Sequence, residues 1–103
     1  MVHLLYFLLL FQPYERFNCS EFVCATHRAR CSAAELYNGC GGKLQQVGTP
    51  QVGDVVAYGG RHVAIYLGPD RVLDSTPEHG VSIHKPLKND PWYRGPVKFL
   101  RWR

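Results

Sequence analysis

Gly53-Asp54-Val55-Val56-Ala57-Tyr58-Gly59-Gly60-Arg61-His62-Val63-Ala64-Ile65-Tyr66-Leu67-Gly68 is the stretch whose reading decides the fold. Two short apolar runs flank the turn Gly59-Gly60-Arg61. β-Branched and aromatic residues suit a half-buried pleated surface, and a Gly-Gly turn between two such runs closes an antiparallel hairpin. The same texture continues downstream. Strands are expected at Val55 to Tyr58, His62 to Leu67, Arg71 to Asp74, Val81 to His84 and Val97 to Trp102. Gly68-Pro69-Asp70 and Ser75 to Gly80 supply turns, and Pro86 to Gly95 reads as a loop.

Upstream the pattern changes. In Asn18-Cys19-Ser20-Glu21-Phe22-Val23 a polar turn precedes Phe22, Val23, Thr26 and Ala29, which recur at roughly helical spacing. Asn18 or Ser20 can cap that helix, which is expected to end near Arg30 with His27, Arg28 and Arg30 at its negative end. Cys19 then lies in the first turn, where amide N–H groups favour an anion; the position suits a nucleophile, or a thiol that merely packs. Ser32-Ala33-Ala34-Glu35 is a capping-box pattern that starts a second helix running to about Tyr37. Asn38 to Gly42 is a loop. Lys43 to Gln51, polar and punctuated by Gly48 and Pro50, reads as a connection or short turn. Helices first and strands after give an α+β class, with helices against one face of an antiparallel sheet of about five strands.

A chain of 103 residues with 46% hydrophobic content can build one core, so a single domain over 1–103 is expected. Val2 to Phe11 is almost continuously apolar, yet too short to span a bilayer as a helix. It lacks Lys or Arg before it and small residues after it, so a buried first helix over 1–12 is expected rather than a cleaved signal. The net charge of +4 comes from scattered basic residues with a denser end at Lys98, Arg101 and Arg103, and fits an anionic partner such as a cell envelope. Zinc-finger spacings, phosphate loops and ribonucleoprotein patterns are all missing, which argues against nucleic acid. Cys19, Cys24, Cys31 and Cys40 form no Cys-x-x-Cys pair, which argues against a metal site, and no cofactor is implied. Cys24, about 140° around a helix from Cys19, is expected in the core. Cys31 and Cys40 could form a disulfide in an exported protein or remain reduced. A monomer is expected.

His62 stands apart among the histidines because it opens a strand directly after a tight turn. A residue at a strand mouth is held rigidly yet reaches the sheet edge, where a base could meet a nucleophile on a packed helix; it could equally just end the strand.

Three motifs in this order resemble the NlpC/P60 family of papain-like cysteine peptidases. The family shows Asp-Cys-Ser-Gly-Leu-Val at its nucleophile, a Gly-Asp-Leu-Val-Phe-Phe strand, and a His-Val-Gly-Ile-Tyr-x-Gly strand carrying its base. Here the corresponding residues are Asn18 to Val23, Gly53 to Tyr58 and His62 to Gly68. A third polar residue of the family follows twelve positions after the histidine, which falls on Asp74. The resemblance implies Cys19 as nucleophile, His62 as base, Asp74 as orienting group and the Cys19 amide as an oxyanion donor. Asp74 could instead be an ordinary carboxylate near a turn. The implied reaction is cleavage of amide bonds in peptidoglycan stem peptides after D-glutamate, by a protein exported to periplasm, cell wall or extracellular space.

Side chains alternate along a strand, so His62 and Asp74 share a face only if the loop around Gly68-Pro69-Asp70 has an odd number of residues or a bulge resets the register. Otherwise Ser75, His79 or His84 becomes the better orienting candidate. The chain also departs from the family pattern. No Tyr-x-Gly-Gly stretch precedes the nucleophile, leaving Tyr6 and Tyr14 as oxyanion candidates, and Glu21 replaces the usual glycine, about 200° around the helix from Cys19. Other readings remain. A CHAP-type amidase or endopeptidase shares the thiol, the His-Val-Ala strand and the substrate. The Asn-Cys-Glu-x-Phe-Val motif of lecithin-retinol acyltransferases looks like Asn18 to Val23, but their histidine precedes the cysteine, whereas Cys19 precedes His62. Outside enzymes, the alternative is a non-catalytic binding domain of the same fold.

Overall fold

The computed structural model describes residues 18–25, 29–85 and 96–103. The helix expected over 1–12, the loop expected over 86–95, and the positions of His27 and Arg28 lie outside these residues. Helix α1 spans Cys19–Cys24, and Asn18 is its N-cap. The Asn18 side-chain oxygen accepts the Glu21 amide at 2.9 Å and the Ser20 hydroxyl at 3.1 Å, while its amide nitrogen donates to Glu21 Oε1 at 2.7 Å. A carboxamide thus satisfies helix-end donors that would otherwise be orphaned. The helix is shorter than expected: Ala25 is the C-cap, and Arg30 lies beyond it outside any helix. Cys, Ser, Phe and Val are indifferent helix formers, so packing rather than propensity sets the length.

Helix α2 spans Ala33–Tyr37 and carries the expected capping box, with the Glu35 amide donating to Ser32 Oγ at 3.2 Å and the Ser32 amide donating to Glu35 Oε1 at 3.1 Å. The following loop folds through left-handed backbone at Gly39, Cys40, Gly41 and Gly42, with φ of 98°, 50°, 64° and 90°. Glycine adopts that region freely, but Cys40 does so at a cost of about 1 kcal/mol, and a disulfide to Cys31 pins it. Closing this short loop is worth about 3 kcal/mol in the chain-entropy account. Replacing Cys31 and Cys40 together with serine is therefore expected to lower the unfolding free energy by about that amount. Denaturant titrations of the two proteins under non-reducing conditions check it.

Six antiparallel strands follow: β1 (Leu44–Val47), β2 (Val55–Tyr58), β3 (His62–Gly68), β4 (Arg71–Thr76), β5 (Gly80–His84) and β6 (Val97–Trp102), in the spatial order β1-β6-β2-β3-β4-β5. Five match the expected strands within two residues at either end. β1 is a correction, because Lys43 to Gln51 reads as a connection and instead pairs with β6 from Leu44↔Trp102 to Val47↔Phe99. Gln45 and Gln46 are exposed and only Leu44 is fully buried, so this edge strand rests on backbone pairing and lacks a hydrophobic pattern to announce it.

The core lies between the helices and the sheet. Phe22, Val23 and Leu36 from the helices meet Val55, Val63, Ile65, Leu73 and Leu100 from the strands. On the reverse face Val56, Tyr58, Ala64 and Val72 form a smaller cluster flanked by Tyr66 and Phe99. Asp54 clamps the entry to β2 onto β6: its carboxylate accepts Arg101 Nε and Nη2 at 2.8 Å each and the Gln51 amide at 2.7 Å. The β2–β3 turn is braced by α2, since a Cβ at Gly60 would press on Ala34 Cβ at 3.3 Å. No described helix is long and apolar enough to cross a membrane.

Candidate active site

The position of Asp74 depends on one irregularity. A two-residue turn, Pro69-Asp70, joins β3 to β4, with Gly68 opposite Arg71. Without correction that register would put His62 and Asp74 on opposite faces. The register shifts between Tyr66 and Gly68, so that Tyr66 faces Val72 and Ile65 faces Leu73. Leu67 is the extra residue of a β-bulge, and the bulge returns His62 and Asp74 to one face. They meet there: His62 Nε2 lies 2.7 Å from Asp74 Oδ2, with the Asp74 carboxylate fully buried.

His62 is the first residue of β3, so its ring stands at the mouth of the strand. There it lies close enough to Cys19, the first residue of α1, for the thiol to act on the imidazole. With Nε2 taken by the carboxylate, Nδ1 is the nitrogen left for the thiol. Burial pulls the imidazole toward its neutral form; the hydrogen bond to Asp74 and then the neighbouring Cys19, with the charges of both, outweigh burial and raise it from 6.5 to about 9. The ring is thus cationic at neutral pH, poised beside a thiol and backed by a carboxylate, an arrangement that can pass a proton between Cys19 and a leaving group. Cys19 is buried, with 9% of its surface exposed.

The other free thiol has different surroundings. Cys24 donates to the Cys31 carbonyl at 3.8 Å, and burial, its largest influence, pushes it up and keeps it protonated. Tyr6 and Tyr14 lie outside the described residues, as does the His84 side chain. Ser75 is buried in β4 next to Asp74, on the other face of the strand by alternation. An open cavity of about 690 Å³ runs along the outer side of α1 past Ser20 and Glu21 to Arg30, flanking Cys19 without including it in the wall. Among the described residues no group of His, Cys, Asp and Glu is arranged to hold a metal ion.

Sequence reading missed Tyr58. It is directly opposite His62 in the β2–β3 pairing, its ring centroid lies 6.0 Å from the imidazole centroid, and it is buried. The signal was present in the hairpin itself, because a three-residue turn after Tyr58 places it across from His62.

Compared with known families, residues 12–101 match the model of the NlpC/P60 family. The chain belongs to the NlpC/P60 family. That match takes in α1, the hairpin bearing His62 and nearly all of β6, so every element of the site lies inside it. NlpC/P60 proteins are generally hydrolases of the cysteine-peptidase kind associated with peptidoglycan. The six-stranded α+β architecture agrees with an NlpC/P60 domain. Comparison with curated proteins found no match.

Proposed function

We propose that this protein is a papain-like cysteine hydrolase that cleaves amide bonds in peptidoglycan stem peptides after D-glutamate, on the peptide that links it to a diamino acid. The observation that carries the reading is the buried hydrogen bond between Asp74 and His62, with Cys19 close enough to act on the same imidazole. In the mechanism, the Cys19 thiolate attacks the scissile carbonyl, its electron pair forming the C–S bond while the carbonyl π pair moves to oxygen. The Cys19 amide at the start of α1 donates to that oxyanion. His62 then gives its proton to the departing amine, leaving a thioester and a neutral imidazole. Water enters, and His62 takes one of its protons as the oxygen bonds to the acyl carbon. The second tetrahedral species collapses by expelling the Cys19 thiolate, and the acid gives its remaining proton to the released amine, leaving the carboxylate and the starting thiolate beside protonated His62. Asp74 holds the imidazole in the tautomer that keeps Nδ1 toward sulfur and stabilises the imidazolium. Export to an oxidising compartment is part of the same reading, supported by the Cys31–Cys40 disulfide.

Purified protein incubated with muropeptides is expected to release fragments ending in D-glutamate, identified by mass spectrometry, with a Cys19→Ala protein as blank. Iodoacetamide near neutral pH is expected to label Cys19 ahead of Cys24. No product, together with equal labelling of the two thiols, would sink the proposal. Release of a sugar-linked amide fragment instead would assign the protein to the amidase reading, and transfer of an acyl chain from phospholipid to an amine would assign it to the acyltransferase reading.

A further inference from the structure

We infer that Tyr58 is a positioning residue of this site, its aromatic ring acting as a stacking wall that holds the imidazolium of His62 in line between Asp74 and Cys19. The inference rests on the catalytic reading of those three residues and adds a fourth member from a third strand.

Four observations meet at Tyr58. It is the last residue of β2 and pairs directly with His62 across the Gly59-Gly60-Arg61 turn. Its ring is tilted 32° to the imidazole at a centroid separation of 6.0 Å, within the contact range of an aromatic pair and at the outer limit for a cation beside a ring. It packs in a buried cluster with Val56, Ala64 and Val72, so the phenol cannot swing away without opening that cluster. Its hydroxyl feels Asp74: burial first and the Asp74 charge second push it up to about 12, so it stays neutral wherever the enzyme works. His62 is therefore faced by Asp74 from β4, Cys19 from α1 and Tyr58 from β2. Asp74 fixes Nε2, and Cys19 lies on the side of Nδ1. The Tyr58 ring fixes the plane in which the two nitrogens lie, and its negative face favours the charged form of the imidazole.

This division of labour separates the ring from the hydroxyl. Tyr58→Phe keeps the wall and is expected to leave the His62 titration midpoint, read from its ring C–H resonances by NMR and assigned with a His62→Gln sample, where the unaltered protein has it. Tyr58→Leu removes the wall and is expected to lower the midpoint by about 0.5 to 1 pH unit, with an equal downward move of the alkaline limb of kcat/KM. Tyr58→Met, whose flexible side chain fills much of the same space, repeats the measurement if the leucine protein does not fold. A midpoint and limb unmoved in both aliphatic variants would overturn the role, and so would a lowered midpoint in Tyr58→Phe. A merely structural tyrosine would lower the thermal midpoint without moving the titration. Failure of the catalytic reading shows separately, as an unaltered protein that releases no fragment and labels its two free thiols equally.

Discussion

Replacing His62 with alanine is expected to lower kcat/KM toward a stem-peptide substrate at neutral pH by about 10⁴-fold, the upper range for loss of a positioned acid and base. Both halves of the reaction lose their proton carrier, because the thiol has no acceptor and the leaving amine no donor. The alanine also strands a fully buried carboxylate, so some loss of stability accompanies it. His62→Gln separates the two effects, since its amide can still donate to Asp74. It is expected to lose as much activity while its thermal midpoint stays closer to that of the unaltered protein. Steady-state kinetics beside thermal melts decide the matter, and a glutamine protein retaining a tenth of the activity would remove His62 from the role of base.

The pH dependence follows from the same residue. In the folded protein His62 is raised from 6.5 to about 9. In the proposed mechanism the proton that His62 gives to the leaving amine is therefore present at neutral pH and lost as pH rises through about 9, which is expected to set the alkaline limb of activity. Stability moves in the same direction. A group whose folded value lies above its unfolded value binds its proton more tightly in the native state, so its contribution is complete below pH 6.5 and is lost as pH rises through about 9.

Much of this architecture is written in local pattern, and what is not has identifiable causes. Asn18 and Ser32 announce their helices because a capping side chain must lie at a fixed offset from the amides it satisfies. The paired runs around Gly59-Gly60-Arg61 announce β2 and β3 because both strands bury apolar side chains. β1 was invisible because Gln45 and Gln46 bury nothing, and its existence depends on β6, more than fifty residues away in the chain. The end of α1 is not legible because helical spacing of apolar residues in the sequence continues past Ala25, where the helix is capped. At the site, the spacing from His62 to Asp74 could name the pair but not orient it. Orientation hangs on whether Leu67 is absorbed as a bulge, a matter of hydrogen-bond register that residue types do not encode. Tyr58 escaped notice for a different reason: a tyrosine at a strand end is ordinary until the residue opposite it acquires a role.

Asp74→Asn tests the remaining member with almost no change of shape. Asparagine can still accept from His62 Nε2 through its carbonyl oxygen, so the 2.7 Å contact can survive, but the charge is gone. Burial is the strongest influence on the imidazole and acts to lower its titration; in the variant Cys19 and Tyr58 remain to oppose it without the Asp74 charge. The ring is then expected to be neutral at pH 7, and a neutral imidazole beside a protonated thiol is a poor nucleophile pair. The expected loss in kcat/KM at neutral pH is about 10²- to 10³-fold, below that of His62→Ala because the base itself remains. Two further readouts distinguish loss of charge from loss of packing. The alkaline limb should move down from about 9 by more than one unit, and the fall in thermal stability between pH 6.5 and about 9 should flatten, because the proton whose release drives it is no longer held. A protein that loses activity yet keeps both the limb and the alkaline fall would show that Asp74 acts through structure alone, and the source of the imidazolium's stability would then have to be sought in Cys19 and Tyr58.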